Sequence, residues 1–257
     1  MLHQLLTNIS PQKNTGKLVA NLIIMKISAF AISEITLGKH NVKDERLDQA
    51  DKLVKAKKKT YPQVEIVSED EALEADVIIV PKDAKTDLIL KDLDFVETRL
   101  ARQPEEGEKI VLNKMKAALE KEDFISTIGL SSEDKEIISG YGLFTLKPIV
   151  EINKEELEDM GSLLVKTLAQ SGFICFLTVG DKENRAWLIK KGTTAWEAAG
   201  AIHSDIQQGF IRAEIINFAD FIQSGGETQA KQAGKMRLEQ KEYIMQDADL
   251  VNFRFNK

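Results

Sequence analysis

Arg185-Ala-Trp-Leu-Ile-Lys-Lys-Gly-Thr-Thr194, then Ala198-Ala-Gly-Ala-Ile-His-Ser-Asp205 and Gly209-Phe-Ile-Arg-Ala-Glu214, is the stretch whose reading decides the fold. Ala186 to Ile189 is a short apolar run. The turn Gly180-Asp-Lys-Glu-Asn184 joins it to a second run, Ile174 to Val179. Both have strand length. Trp196 to Ile202 reads as a helix opening after Thr193-Thr194, and Phe210 to Ile216 as the next strand. Tyr243-Ile-Met245 and Leu250 to Phe255 read as strands around the turn Gln246-Asp-Ala-Asp249. Two strands, a helix and further strands predict an α+β module over residues 172–257.

Composition bounds the rest. The 257 residues suffice for one large domain or two to three small ones, and an apolar content of 43% is ordinary for a globular chain. The 35 basic and 41 acidic residues give a net charge of -6, so no bulk attraction draws the whole chain to DNA, RNA or an anionic membrane. Residues 172–257 carry 11 of each sign, so the acidity sits upstream. The one cysteine, Cys175, lies in Phe173-Ile-Cys-Phe-Leu177 and reads as a core residue. No disulfide within the chain is possible, which suits a reducing compartment. No run approaches the roughly 18 apolar residues that span a membrane. Residues 1–24 lack the pattern of a signal peptide, so a cytoplasmic location is expected.

Upstream, Met25-Lys-Ile-Ser-Ala-Phe30 reads as a buried first strand and Asp44 to Val54 as a short helix with Leu47, Ala50, Leu53 and Val54 on one face. Val64 to Val67 and the continuously apolar Asp76-Val-Ile-Ile-Val80 read as strands, the latter covered on both faces. From Asp87 the apolar residues Ile89, Leu93, Val96 and Leu100, then Leu112, Met115 and Leu119, mark two helices broken at Gln103-Pro-Glu-Glu-Gly107. They form either a helical hairpin or coiled-coil arm, or two core helices. Ser131-Ser-Glu-Asp134 reads as a helix start, Leu146 to Ile152 as a strand and Glu155 to Gln170 as a helix.

The C-terminal stretch, with Ala233-Gly-Lys-Met-Arg-Leu-Glu239 and Asp247-Ala-Asp-Leu-Val-Asn-Phe-Arg-Phe255, resembles the TGS domain of the YchF (Obg-like) P-loop ATPases. Asp44-Glu-Arg-Leu-Asp48 and Asp92-Leu-Asp-Phe-Val-Glu-Thr-Arg-Leu100 extend the resemblance upstream. It implies a fold of α/β plus α+β type. Residues 1–24 would be an N-terminal extension. Residues 25–86 and 144–171 would form a reduced Rossmann-like, GTPase-type core, and 87–143 a helical hairpin arm. Residues 172–257 would form a ubiquitin-like β-grasp (TGS) domain.

The family's phosphate-binding loop follows its first strand. Such a loop needs glycines to aim N–H groups at phosphate, a Lys for charge and a Ser or Thr for magnesium. Here Ala31 to His40 offers only Gly38-Lys39, followed by His40, with Glu34 adding like charge. Val64-Glu-Ile-Val-Ser-Glu-Asp70 lacks the glycine of the family's Asp-x-x-Gly motif. The resemblance therefore implies an ATPase domain without its P-loop and switches. No catalytic residue, metal site or cofactor is assigned, and ATP is the cofactor of an alternative reading only. One trace of the family's adenine motif stands at Asn153-Lys-Glu-Glu156, where Asn153 and Glu156 are also an ordinary helix cap.

His3, His40 and His203 have no metal-ligand spacing, and no Gly-x-Ser-x-Gly motif occurs. His203 reads as fixing the end of the module's helix. The basic run Lys55-Ala-Lys-Lys-Lys59 reads as a solvated helix end, with phosphate contact as the alternative. Lys190, Lys191, His203, Arg212, Lys235 and Arg237 are the candidate contacts to RNA or a partner, beside Trp187 or Phe210. Three functions follow. The first is a non-catalytic protein docking on the ribosome, RNA or translation factors. The second is a residual ATP or purine-nucleotide binder. The third is an adaptor, self-associating through the helical arm.

Overall fold

The computed structural model describes residues 24–256. The expected N-terminal extension lies outside them except for Ile24. In chain order the elements are β1 (Met25–Ala29), β2 (Gly38–Asn41), α1 (Glu45–Leu53), β3 (Lys58–Thr60), β4 (Gln63–Val67) and β5 (Val77–Pro81). Then come α2 (Lys85–Ala101), α3 (Glu106–Leu119), α4 (Ser132–Ile137), β6 (Ile149–Ile152), α5 (Met160–Gln170), β7 (Phe173–Thr178) and β8 (Glu183–Lys190). The last are α6 (Ala195–Ile202), α7 (Ser204–Gln208), β9 (Phe210–Ile216), α8 (Phe218–Ser224), α9 (Glu227–Gln232), β10 (Arg237–Glu239) and β11 (Leu250–Phe255).

Two sheets organise them. The first has the order β2-β4-β1-β5-β6, with β4, β1, β5 and β6 parallel and β2 antiparallel at the edge. Every residue of β5 is buried, because both faces of the sheet are covered. Val77 and Ile79 join Met25, Ile27, Val64, Ile66 and Val150 under Leu163, Leu164 and Leu168 of α5. Ile78 and Val80 face the other way, onto Leu88 of α2 and Phe30. This double coverage explains an apolar run without alternation.

Helices α2 and α3 bury Ile89, Val96, Val111, Leu112 and Met115 against each other. The pair is closed over by Ile125, Leu130, Ile138 and Leu143 rather than standing free. Asp92 ties α2 to the segment before β6, accepting from Phe144 N–H, Thr145 N–H and the Thr145 hydroxyl at 3.0, 2.7 and 2.7 Å.

The second sheet has the order β10-β9-β11-β7-β8-β3. Its central strands β11 and β7 are parallel, and β7–β8, β9–β11 and β9–β10 are antiparallel. One face packs Phe176, Trp187, Ile189, Ala213, Ile215 and Phe253 under Ala195, Ala198 and Ala199 of α6. A capping box starts this helix, with the Glu197 carboxylate accepting from the Thr194 N–H at 2.8 Å. Gly209 is required by close approach, since a Cβ there would strike the Asn256 carbonyl.

Three expectations are corrected. Lys58 and Lys59 do not belong to a solvated helix end. They form β3, which pairs in parallel with β8 across the register Lys58↔Glu183 to Thr60↔Arg185. Lys58 meets Glu183 at 3.1 Å and Lys59 meets Asp48 at 2.5 Å, so each charge of the run's end has a local partner. Tyr243–Met245 is not a strand and contributes only the bridge Ile244↔Thr194. The boundary at residue 172 does not divide the sheets either. Leu47 and Ala50 of α1 cover the second face of the C-terminal sheet, packing with Cys175, Leu177, Ala186, Ile216, Phe221 and Leu250.

Candidate functional site at the strand ends and on the C-terminal sheet

Open α/β sheets bind ligands outside the carboxyl ends of their parallel strands. Here those ends carry residues 30–37, 68–71, 82–84 and 153–158. Ala31, just past β1, has a left-handed backbone (φ 53°). Its N–H donates to Glu69 Oε2 at 3.2 Å, and Lys91 donates to Glu69 Oε1 at 2.6 Å. The Lys91 contact holds the Glu69 carboxyl below its ordinary range. The Ser33 N–H donates to Glu34 Oε2 at 3.1 Å. Bonding to backbone N–H groups, its own first, likewise depresses the Glu34 carboxyl. The loop amides therefore already serve two carboxylates of the chain. Gly38-Lys39 is not in this loop but in β2, registered against Ile66 and Glu65 of β4.

Asn153 and Glu156 sit at the end of β6. The Asn153 N–H donates to Glu156 Oε1 at 2.8 Å, and Lys166 donates to Oε2 at 2.6 Å. Lys166 first, and this N–H second, lower the Glu156 carboxyl. Both of its oxygens are thus engaged, one in the cap and one in the ion pair with Lys166. Lys154, between them, pairs with Asp83 at 2.8 Å.

The six candidate contact residues do not form one patch. Lys190 ends β8 opposite Phe173, whereas Arg212 lies opposite Arg254 near the end of β11. With Leu250 aligned on Leu177, these positions are separated by roughly 25 Å along the strands, at ~3.3 Å per residue. Lys235 pairs with Asp220 at 3.3 Å. Arg237 donates to the Tyr243 hydroxyl at 3.1 Å and lies 3.3 Å from Glu239 and 3.7 Å from buried Asp249. Burial raises the Asp249 carboxyl. His203 caps α7, its Nδ1 accepting the Asp205 N–H at 3.0 Å. Lys190 lies 3.5 Å from Asp76 and 5.7 Å from the Phe173 ring centre. Lys191 stands beside it, past the end of β8.

Two arginines escaped the sequence reading. Arg185 lies over the Trp187 ring, 3.9 Å from its centre. The spacing i, i+2 on a strand puts both on one face, which was the available signal. Arg46 grips Asp44 through Nε and Nη2 at 2.9 and 2.8 Å and Asp247 through Nη1 at 2.6 Å. Asp247 in turn accepts the Cys175 N–H at 3.0 Å. This chain of bonds ties α1 to the C-terminal sheet beside a cavity of about 770 Å3. No local pattern announces a contact 201 residues apart. Among the described residues no cluster of three His, Cys, Asp or Glu is arranged to hold a metal, and no helix is long and apolar enough to cross a membrane.

Residues 173–256 match the family model YchF-GTPase_C, described as a protein of unknown function (DUF933). A "Ribosome-binding ATPase YchF" of Buchnera aphidicola subsp. Acyrthosiphon pisum is 32% identical over 249 residues, 76% of this chain and 68% of the relative. The chain belongs to the YchF family. The proteins of the same name from Haemophilus influenzae and Bacillus subtilis are 34% and 32% identical, each match taking in 66% of this chain and 64% of the relative. The chain thus spans about 64% of the length of these two YchF relatives. The mixed α/β fold is shared with the Schizosaccharomyces pombe YchF GTPase. Its structure superimposes with a TM-score of 0.70 at 18% identity, covering 90% of this chain and 97% of that one.

Proposed function

We propose that this YchF-family chain docks on the ribosome or its RNA through the C-terminal sheet and does not hydrolyse nucleotide. The observation that carries this reading is the loop after β1. The Ala31 and Ser33 amides, which a P-loop would turn to phosphate, are bonded to Glu69 and Glu34. A triphosphate approaching that loop would meet two carboxylates, with the nearby Lys91 already paired to Glu69, and like charges repel. Of the adenine-motif remnant, the Glu156 carboxylate is already engaged by the Asn153 N–H and by Lys166.

Docking is favoured by the names of the relatives, each a "Ribosome-binding ATPase YchF". The match to the Haemophilus protein runs over 233 aligned positions yet takes in only 66% of the 257 residues here. Stretches of the relative therefore run opposite gaps, which favours loss of segments over substitution. The order β8-β7-β11-β9-β10 with α6 on one face agrees with a β-grasp, TGS-like module.

Titration calorimetry with ATP and magnesium tests the catalytic half of the reading. No heat at millimolar nucleotide is expected, and a saturating isotherm would contradict it. Co-sedimentation with ribosomes at moderate salt tests the docking half. Recovery in a ribosomal fraction is expected, and absence from every such fraction would end it.

A further inference from the structure

We propose that the concavity between the β3–β8 edge and α6 takes up an unpaired strand of RNA, stacking a base on the Arg185 guanidinium and meeting its phosphates with Lys58 and Lys191. The inference deepens the docking reading above by assigning it a site and a form of ligand.

The concavity holds about 700 Å3, and Lys58, Arg185, Trp187, Lys190, Lys191 and Glu197 are among its lining. Four cations face one acid there, in a chain whose net charge is -6. The one acid is committed, since Glu197 accepts from both the Thr194 N–H and hydroxyl at 2.8 Å. Lys58 and Lys190 are exposed and lie 3.1 and 3.5 Å from the half-buried carboxylates of Glu183 and Asp76. A pair whose ammonium group stands in solvent is exchanged at modest cost. Arg185 and Lys191 have no ion-pair partner among the described residues.

The chemistry selects the ligand. Trp187 is buried and anchored by its Nε1–H to Thr178 Oγ1 at 2.9 Å, and Arg185 stands over it with its central carbon 3.9 Å from the ring centre. A guanidinium held against an indole keeps its other face for a second planar group, and unpaired bases stack on such planes. An acidic peptide would use the charges but not the plane. The volume falls among small-molecule pockets of roughly 300–1,000 Å3, which suits a splayed nucleotide and not the convex body of a duplex.

Fluorescence anisotropy of the full chain with a labelled single-stranded oligonucleotide of about 10 nucleotides tests this. The single strand binds, and a hairpin duplex of equal charge competes at least about 10-fold less well. Arg185→Ala weakens binding about 10-fold, and Arg185→Lys, which keeps the charge and loses the plane, weakens it nearly as much. Lys191→Ala lowers the slope of log affinity against log salt by about one. Arg212→Ala, at the far end of the sheet, changes neither quantity. Wild-type affinity in Arg185→Ala, equal competition by duplex, or displacement by polyglutamate as effectively as by RNA would overturn the assignment, the last in favour of an acidic peptide. Absence of oligonucleotide binding with ribosome co-sedimentation intact sinks this site and spares the docking reading. The reverse pair of results does the opposite.

Discussion

A carboxylate buried among helices is tolerable only when its oxygens are satisfied, and Asp92 receives three hydrogen bonds from Phe144 and Thr145. Burial raises its pKa, against those bonds. Asp92→Ala would strand two backbone N–H groups and a hydroxyl, at a cost of about 2–4 kcal/mol, and Asp92→Asn, which keeps one acceptor, about half of that. Urea denaturation checks both values. A cost for Asp92→Ala below about 0.5 kcal/mol would mean that the contacts carry little. Cys175 is a different case, a buried thiol that makes no side-chain hydrogen bond among the described residues. Burial pushes it up to about 12, so iodoacetamide at pH 8 should label it only after denaturation, as mass spectrometry would show. Its burial was legible from the surrounding apolar run. The cap at Asn153 and Glu156 was legible too, because Asn followed by acids is a local signal. The Glu69 contact to Ala31 was not, since it joins residues from two different strand ends.

At the scale of elements, legibility followed the strength of the apolar pattern. β5 was readable because a sheet covered on both faces demands an unbroken apolar strand. β2 and β3 were not, because Gly38–Asn41 and Lys58–Thr60 are short polar edge strands held by backbone pairing and polar side-chain contacts, with no apolar pattern to read. Tyr243–Met245 erred the other way. Its apolar residues serve side-chain packing, with Met245 buried beside α6, and make one bridge only. The stripe of α1 was readable, but not which sheet it covers. Leu47, fully buried against Cys175, Leu177 and Phe221, makes that choice testable. Leu47→Ala should cost about 2–5 kcal/mol, and the loss of amide hydrogen-exchange protection should appear in β7 and β8. Loss confined to β1 and β4 would contradict the placement of α1.

For the molecule as a whole, charge pairs set its response to acid. Glu69, Glu108, Asp134, Glu156 and Glu197 are held below their ordinary range, by Lys91, Arg99, Lys114, Lys166 and the Thr194 backbone respectively. A depressed folded-state pKa contributes stability above the unfolded value, and that stability is lost as pH falls through the folded value. Asp92 and Asp249 are raised, so their contribution is present at low pH and lost as pH rises. The depressed groups outnumber the raised ones. Tm should therefore fall as pH is taken from about 5 to about 3, and a flat or rising Tm by calorimetry would contradict this. At the same scale, the C-terminal third carried the resemblance to the family, while the chemistry of the first sheet depends on contacts between distant loops that no local motif encodes. Docking without a nucleotide engine is the central claim, and the nucleotide dependence of ribosome co-sedimentation tests it most directly. The account predicts equal recovery of the chain in the ribosomal fraction with and without ATP and magnesium. Recovery that appears or disappears with ATP, or no recovery in either condition, would contradict it.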